Sequence, residues 1–523
     1  MIAYTWFISV FFVAFVLVHS ALIVMAAVEL HRYSAREIST ALRRTLRSPL
    51  APPISVLVPA YNEASGIADT VRSLLALDYP KLEVVVVNDG STDDTLKRLT
   101  EVFELQPVRR PTPPYLSHQP VLGVYTPRSQ LSLLVVDKEN GGKADALNAG
   151  INFSAYPLIC SVDADSILEQ DALAKTALPF IEDPVRTVAT GGMVRIANGC
   201  RIERGRVTDA HLPRSRFAMF QVVEYLRAFF ATRTGWSAIN GLLIVSGAFG
   251  LFSRDTVIAA GGYLTGTVAE DIELIVRLHR TCRDARRPYR IVYIADPVCW
   301  TEAPESTRYL RRQRRRWQQG CLETLLAHWR MMLNPRYRSA GLLALPSMLV
   351  FDVLGPVIEM SGYVVAIAFL LLGVISLKVF LLLMALAVGY GLVLTLGAAA
   401  LEDATANRTR HGPTCAGSCF TWSVRTSATG NCCTSGALKR SGSSYEAANG
   451  VPWRGKAFQA YQGTDRHRQE VTGRAAGADG GQAPPPHPPA PAPRTAKSRC
   501  ADTGRDRLDQ DAARERGLWR TGR

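Results

Sequence analysis

Three short apolar runs in the first half of the chain each stop at an acidic or amide cluster, and this recurrence limits the fold more than any other feature. Ile54 to Val58 runs into Pro59, Ala60, Tyr61, Asn62 and Glu63; Val84 to Val87 runs into Asn88, Asp89 and Gly90; Leu158 to Val162 runs into Asp163, Ala164 and Asp165. A parallel strand covered by helices on both faces reads as a continuous Val/Ile/Leu run, and ligands bind beyond the carboxyl ends of such strands. Between the runs the period changes: Ala68 to Leu77 predicts a first crossover helix, and Thr92 to Leu105 a second, capped by Ser91 or Thr92. The βαβ order predicts an α/β, doubly wound sheet whose strand ends converge on one ligand.

At 523 residues the chain can hold more than one core. Ala3 to Val28 carries no acid and no Lys or Arg and is long enough to cross a bilayer. Arg32, Arg36, Arg43, Arg44 and Arg47 follow it, a bias that puts the next segment in the cytoplasm. A cleaved signal peptide is the alternative, but the segment lacks a basic start and exceeds an ordinary signal core. Two further spans, Phe351 to Ile375 and Val379 to Leu401, are separated by a tight turn around Ser376, Leu377 and Lys378 and predict a membrane hairpin. Asp352 and Glu359 near one end of it either face a cavity or neighbouring helix, or anchor the helix at the interface. The expected organisation is a transmembrane helix at 1–30, a cytoplasmic amphipathic linker at 31–50, a catalytic domain at 51–321, an interfacial helix at 322–350, the hairpin at 351–401 and a low-complexity tail at 402–523. Within the catalytic domain, Pro107 to Pro127 reads as a Pro-rich surface loop, Phe217 to Thr232 as a helix, and Leu242 to Phe252 as a strand broken by Gly247 and Gly250. Leu322 to Leu333, with Trp329, Met331 and Met332 beside Arg330, reads as a helix lying along the membrane surface.

The net charge of +15 invites a nucleic-acid reading, but His411 to Arg523 alone holds 17 Lys and Arg against 9 Asp and Glu, a surplus of +8. No nucleic-acid motif accompanies it, and the remaining Arg suit anionic head groups or a diphosphate. The ten Cys show no paired metal-ligand spacing in the first 400 residues, so they are expected to be reduced and to hold no zinc.

Asp163 and Asp165 after an apolar strand suit a divalent cation, Mg2+ or Mn2+, that neutralises the charge developing on a departing nucleoside diphosphate. Asp89 at the neighbouring strand end would accept hydrogen bonds from a base or ribose, or act as a turn residue. Gly141, Gly142 and Lys143 precede a helix starting near Ala144, so flexible backbone and a cation meet at a positive helix end, although the spacing is not that of a Walker loop. Ala269, Glu270 and Asp271 open another helix, where a carboxylate is either a cap or the general base for an acceptor hydroxyl. Gln313, Arg314, Arg315, Arg316 and Trp317 shift that balance: Arg316 can grip a diphosphate and Trp317 can stack on a sugar face.

In order, VPAYNE, VVNDGSTDDT, NGGKADALN, DADS, SGAFGLF, AEDIEL and QRRRW resemble the membrane-embedded, processive, inverting glycosyltransferases of family 2, which include cellulose, chitin, hyaluronan and poly-N-acetylglucosamine synthases. The resemblance covers roughly Ile54 to Leu401 and implies a GT-A type nucleotide-sugar-binding domain inserted between transmembrane helices at the bacterial inner (plasma) membrane. It implies that Tyr61, Glu63 and Asp89 contact the nucleoside, Lys143 the diphosphate, and Asp163 and Asp165 the sugar nucleotide and metal. Asp271 would be the catalytic base beside Glu270 on the acceptor side, with Gln313, Arg316 and Trp317 closing the site over donor and acceptor. Ala269 stands where many members have Thr. SGAFGLF is more similar to the amino-sugar and hyaluronan polymerases than to the cellulose ones, which usually carry Cys there, and this leans the donor toward UDP-N-acetylglucosamine. The implied partners are a UDP-sugar, a growing polysaccharide or a lipid acceptor, the membrane and accessory membrane subunits.

Beyond about Asn407 the periodicity stops and Gly, Ser, Thr, Cys and Pro dominate, as in a disordered tail. Arg425 to Ala437, RTSATGNCCTSGA, can be back-translated so that a one-base shift gives ENFGYRQLLHLWR, which resembles the family. Asn449 to Phe458 and Gly417 to Val424 decode in the same way into family-like and apolar sequence. A frameshift, real or a sequencing error, is therefore expected between roughly Leu401 and Cys415. Two rival functions remain: transfer of one sugar to a lipid phosphate, and a nucleotide-sugar-binding membrane protein inactive because of its tail. A glycoside hydrolase would not need a nucleotide crevice.

Overall fold

The computed structural model describes residues 2–35, 51–111, 113–203 and 205–409. The chain divides into two units, Met1–Arg466 and His467–Arg523, and every described residue belongs to the first. The expected linker is described only to residue 35, and the rest of it and the tail beyond Thr409 lie outside the described residues; residues 402–409, expected to belong to the low-complexity tail, continue the helix Leu377–Thr409, and the expected frameshift window of Leu401 to Cys415 is described only to Thr409.

The apolar runs form the centre of a ten-stranded mixed sheet. Its strands are β1 (Ile54–Ala60), β2 (Leu82–Asp89), β3 (Leu105–Pro107), β4 (Val121–Pro127), β5 (Leu133–Lys138), β6 (Leu158–Val162), β7 (Ile167–Leu168), β8 (Thr187–Ile196), β11 (Phe249–Ser253) and β12 (Arg290–Thr301). The order is β3-β4-β5-β2-β1-β6-β11-β8-β12-β7, and β9 (Arg201–Glu203) pairs with β10 (Arg206–Asp209) as a separate hairpin. Four neighbours, β5, β2, β1 and β6, run parallel, as the βαβ order requires. Antiparallel strands flank them on both sides, β4 beside β5 and β11 beside β6. Alternate residues of each central strand enter different cores: Val56, Val58, Val84 and Val86 pack on one side, Leu57, Val85 and Val87 on the other. Burial on both faces is why these strands lack polar alternation. Truncating one such fully buried Leu to Ala would cost roughly 2–5 kcal/mol.

Several elements differ from expectation. The crossover helices are Ile67–Leu75 and Thr95–Phe103; the second starts three residues late because Ser91 and Thr92 bond to the Asn62 loop instead of capping a helix. The Pro-rich insertion contains β4, which pairs between the three-residue β3 and β5 and whose residues are mostly only partly buried, so it carried no continuous apolar run. Phe217 to Thr232 is helical but changes character: Arg216–Tyr225 is α, Leu226–Thr232 is π, and Arg233–Ala238 returns to α. The 242–246 segment has no regular secondary structure, Gly247 and Ala248 form a bend, and only Phe249–Ser253 is strand.

Trp6–Tyr33 and Leu377–Glu402 are long and apolar enough to cross a membrane. Ala340–Val353 and Gly355–Leu371 qualify together as a third span bent by 44°. Pro356, which has no amide hydrogen to continue the preceding helix, sits in the first turn after the break. The membrane-surface helix expected from Leu322 to Leu333 is instead the end of helix Thr307–Ala327 followed by a 3-10 turn at Trp329–Met331. Among the described residues Cys160, Cys200, Cys282, Cys299 and Cys321 are free thiols.

Candidate active site

Parallel register brings the ends of β1, β2 and β6 to one edge, since Ala60 faces Asn88 and Leu57 faces Ser161. The loop after β1 is stitched to the loop after β2. Asn62, left-handed at φ 58°, accepts hydrogen bonds from the Thr92 amide at 2.8 Å and the Asp93 amide at 3.3 Å. Its own amide donates to Ser91 Oγ at 3.0 Å, and the Glu63 amide donates to Thr95 Oγ1 at 2.9 Å. Asn tolerates the left-handed region better than most residues, which suits it to this turn.

The Asp89 carboxylate is already saturated by its own protein. Lys138, 0% exposed, places its ammonium 2.5 Å from Asp89 Oδ1 and 2.6 Å from Asp145 Oδ1. The Gly141 and Gly142 amides donate to the two Asp89 oxygens at 3.0 and 2.8 Å. Asp89 lines the cavity described below, and its carboxylate also organises the glycine loop. Neither Lys138 nor Asp145 was singled out from the sequence.

That loop delivers Lys143, the first residue of helix Lys143–Phe153. Its ammonium touches Asp163 Oδ1 at 2.7 Å, Glu270 Oε1 at 3.0 Å and the Gly247 carbonyl at 2.9 Å, and so ties β6, the 242–247 segment and helix Glu270–Asp284 together. Burial opposes the Lys143 charge, but Asp163 and Glu270 outweigh it and hold the ammonium charged. Glu270, also resisted by burial, is pulled below the ordinary carboxylate range by Lys143. Asp271 moves the other way, to about 6, because it is enclosed and lies beside the Glu270 charge. Gly247 backs directly on it: a Cβ there would sit 3.0 Å from Asp271 Oδ2. Burial, with the charges of Asp165, Asp93 and Asp163, pushes Glu63 to about 7.

Helix Thr307–Ala327 lies against this cluster closely because Gly320 lacks a side chain where Ala269 packs; an ideal Cβ at Gly320 would sit 2.2 Å from that of Ala269. Arg314 makes a two-pronged ion pair with both oxygens of Glu224 and stacks over Trp317 at 4.5 Å. Arg316 is near enough to Glu270 to help hold it ionised.

One cavity of about 1600 Å³ is lined by every residue the sequence nominated: Tyr61, Glu63, Asp89, Lys143, Asp163, Asp165, Glu270, Asp271, Gln313, Arg316 and Trp317. Its wall continues onto Phe15 and His19 of Trp6–Tyr33, Glu359 and Tyr363 of Gly355–Leu371, and Gly391 and Thr395 of Leu377–Glu402. Among the described residues no cluster of three or more His, Cys, Asp or Glu forms a ready-made cation cage. The Asp163-Asp165 pair still fits Mg2+ or Mn2+, since such ions are often held by one or two carboxylates with substrate phosphates and water supplying the rest. Asp165 faces solvent in the cleft and makes no side-chain hydrogen bond or ion pair with another described residue.

Two family descriptions match the chain, Glycosyl transferase family 2 over residues 55–114 and Glycosyl transferase family group 2 over residues 158–392. A poly-beta-1,6-N-acetyl-D-glucosamine synthase of Staphylococcus aureus (strain COL) is 31% identical over 274 residues, 52% of this chain and 55% of that protein. The synthase of the same name from Staphylococcus epidermidis is 30% identical over the same length and shares. The chain thus spans about half the length of the curated relatives it matches. Among solved structures, a mannosyltransferase from Pyrobaculum calidifontis in complex with GDP-Man and Mn2+ is 21% identical, with TM-score 0.45, covering 75% of this chain and 98% of that one. S. aureus TarS 1-349 in complex with UDP-GlcNAc is 16% identical, with TM-score 0.31, covering 53% of this chain and 73% of that one.

Proposed function

We propose that this family 2 glycosyltransferase, which resembles poly-N-acetylglucosamine synthases, transfers N-acetylglucosamine from a UDP-activated donor onto a growing β-linked polysaccharide. The single observation that carries the reading is the shared cavity, in which the strand-end carboxylates, the Lys143 loop, Asp271 and the Gln313-Arg316-Trp317 helix face one space.

In this reading Tyr61 and Glu63 border the nucleoside, and Asp89 shapes the loop that presents Lys143. Asp163 and Asp165 hold Mg2+ or Mn2+, which when bound supplies Lewis-acid neutralisation of the leaving diphosphate. Lys143 and Arg316 add positive charge on the same side, and Gln313 borders the donor. The acceptor hydroxyl, seated on Trp317 beside Glu270, attacks the anomeric carbon from the face opposite the diphosphate. As the new C–O bond forms, the bond to the diphosphate breaks, the hydroxyl proton passes to Asp271 and the configuration inverts. A base held near 6 is ionised at neutral pH yet basic enough to accept that proton.

Continuity of the cavity with the apolar helices supports a multi-pass inner-membrane enzyme with a cytoplasmic catalytic domain that passes its product between its own spans. Polar and ionisable groups at membrane depth are expensive unless they face a partner or an aqueous path, and Glu359, Tyr363 and Thr395 border this cavity. In this reading the catalytic residues lie between about 51 and 321. Asp271→Asn tests the chemical assignment: transfer should fall by roughly 10²-fold or more while UDP-sugar binding is kept. Retained turnover would reject Asp271 as the base.

A further inference from the structure

This inference rests on the reading that Asp271 takes the acceptor proton and Trp317 carries the acceptor. The helix that passes behind both residues is irregular there, because its Leu226–Thr232 portion is π-helical. A π turn re-aims the side chains that follow it and recurs at functional sites. Phe229 lies in the π turn and Arg233 immediately after it, and both line the cavity.

Arg233 is only 7% exposed. Burying a guanidinium is costly without acceptors, and its environment is specific. Its Nη1 donates to the Val245 carbonyl at 2.7 Å, and its guanidinium carbon lies 3.8 Å from the centre of the Phe229 ring. Val245 is two residues before Gly247, the residue that abuts Asp271. The Phe229 ring is also 6.2 Å from the ring of Trp317, tilted by 49°, and Trp317 carries Arg314 over its ring at 4.5 Å. Arg314 returns to the first helix through its ion pair with Glu224. Cation–ring and ring–ring contacts thus link the Trp317 helix to the segment beneath Asp271. The same helix is pinned to the first apolar helix at Gly235, where a Cβ would sit 2.5 Å from the Leu22 carbonyl oxygen.

We propose that Arg233 is a positioning residue that, together with Phe229, holds the 242–247 segment under Asp271 and the ring of Trp317 as one unit, so that base and acceptor platform keep a fixed separation. A displacement of about 1 Å between reacting groups can cost roughly 10²-fold in rate, so such a brace has a large lever on turnover and little on donor capture.

The test uses the full chain in detergent or nanodiscs, with two readouts. Hydrogen exchange needs no reaction: Arg233→Met should speed exchange both in 242–248 and in 313–318, whereas Phe229→Ala, which leaves the Val245 bond, should loosen 313–318 alone. In steady-state transfer from UDP-N-acetylglucosamine, Arg233→Met should lower kcat roughly tenfold or more with donor KM held within about twofold. Arg233→Lys, which keeps a cation able to reach the ring and the carbonyl, should recover most of that loss. Exchange changes confined to 226–238, equal losses in the Met and Lys variants, or a change in donor KM alone would overturn the proposal. If the wild-type chain transfers no sugar, the reading of Asp271 fails, and the exchange pattern still decides whether the two segments are coupled.

Discussion

Replacing Lys138 by Met removes the cation that bridges two buried carboxylates, and the cost can be worked out from the site. Side chains of Lys138, Asp89 and Asp145 are 0%, 4% and 7% exposed, so water cannot take over the role of the ammonium. Asp89 keeps the Gly141 and Gly142 amides, which favour its charged form. Two facing carboxylates without a counter-ion will not both stay ionised, so the variant must fold with one proton bound. Neutralising an ordinary aspartic acid at pH 7 costs about 4 kcal/mol, in line with the roughly 3–5 kcal/mol lost when a buried pair is broken from one side. The sign with pH is fixed: the unfolded variant ionises above about pH 4 while the folded one holds its proton, so the penalty grows with pH and shrinks to about 1.5 kcal/mol at pH 5. Urea midpoints read by pulse proteolysis of the purified full chain at pH 5 and pH 7 measure this. A loss under about 1 kcal/mol at pH 7, or one that does not shrink at pH 5, would refute the reasoning.

Other consequences follow from the same cleft. Glu63 is pushed from 4.5 to about 7 by burial and by Asp165, Asp93 and Asp163, so its ionisation costs the folded state increasingly above pH 4.5, levelling off beyond pH 7. In metal-free buffer Glu63→Gln should therefore melt above wild type at pH 8 and match it near pH 4.5; a difference independent of pH would refute this. Gly247→Ala meets no backbone penalty, since Gly247 is not among the glycines with positive φ, but its methyl would press on Asp271 at 3.0 Å. It should lower kcat roughly tenfold or more with little change in melting temperature, and an unchanged kcat would place Asp271 away from the reaction.

What the sequence made legible is what burial on two faces imposes. β1, β2 and β6 were readable because helices cover both sides, and their terminal carboxylates were readable because the runs stop abruptly at Glu63, Asp89 and Asp163. β4 was not: lying next to the sheet edge, covered there only by the three-residue β3, it has largely half-buried residues and neither a continuous apolar run nor clean alternation. Lys138 sits in VVDKEN, which locally resembles a solvated turn, and nothing nearby reveals that Asp89, 49 residues earlier, will reach it. Arg233 follows a stretch with ordinary helical periodicity, and the π turn that aims it inward leaves no mark in composition. Lys143 was correctly placed at a helix start, but its bonds to Asp163 and Glu270 depend on strands and helices more than a hundred residues apart in part of the site. Gly355-Pro356 did carry a signal, a proline between two apolar stretches, and the bend in the third span follows from it.

The central claim is that one cleft joins a UDP-sugar, a divalent cation and the base Asp271 at the mouth of a path between apolar helices. Membranes containing the full chain, incubated with radiolabelled UDP-N-acetylglucosamine and Mg2+ or Mn2+, test it most directly when the labelled product is sized. The account predicts a polymer of many sugars that disappears in Asp271→Asn; a single-sugar lipid product, or label transfer that survives the substitution, would contradict it.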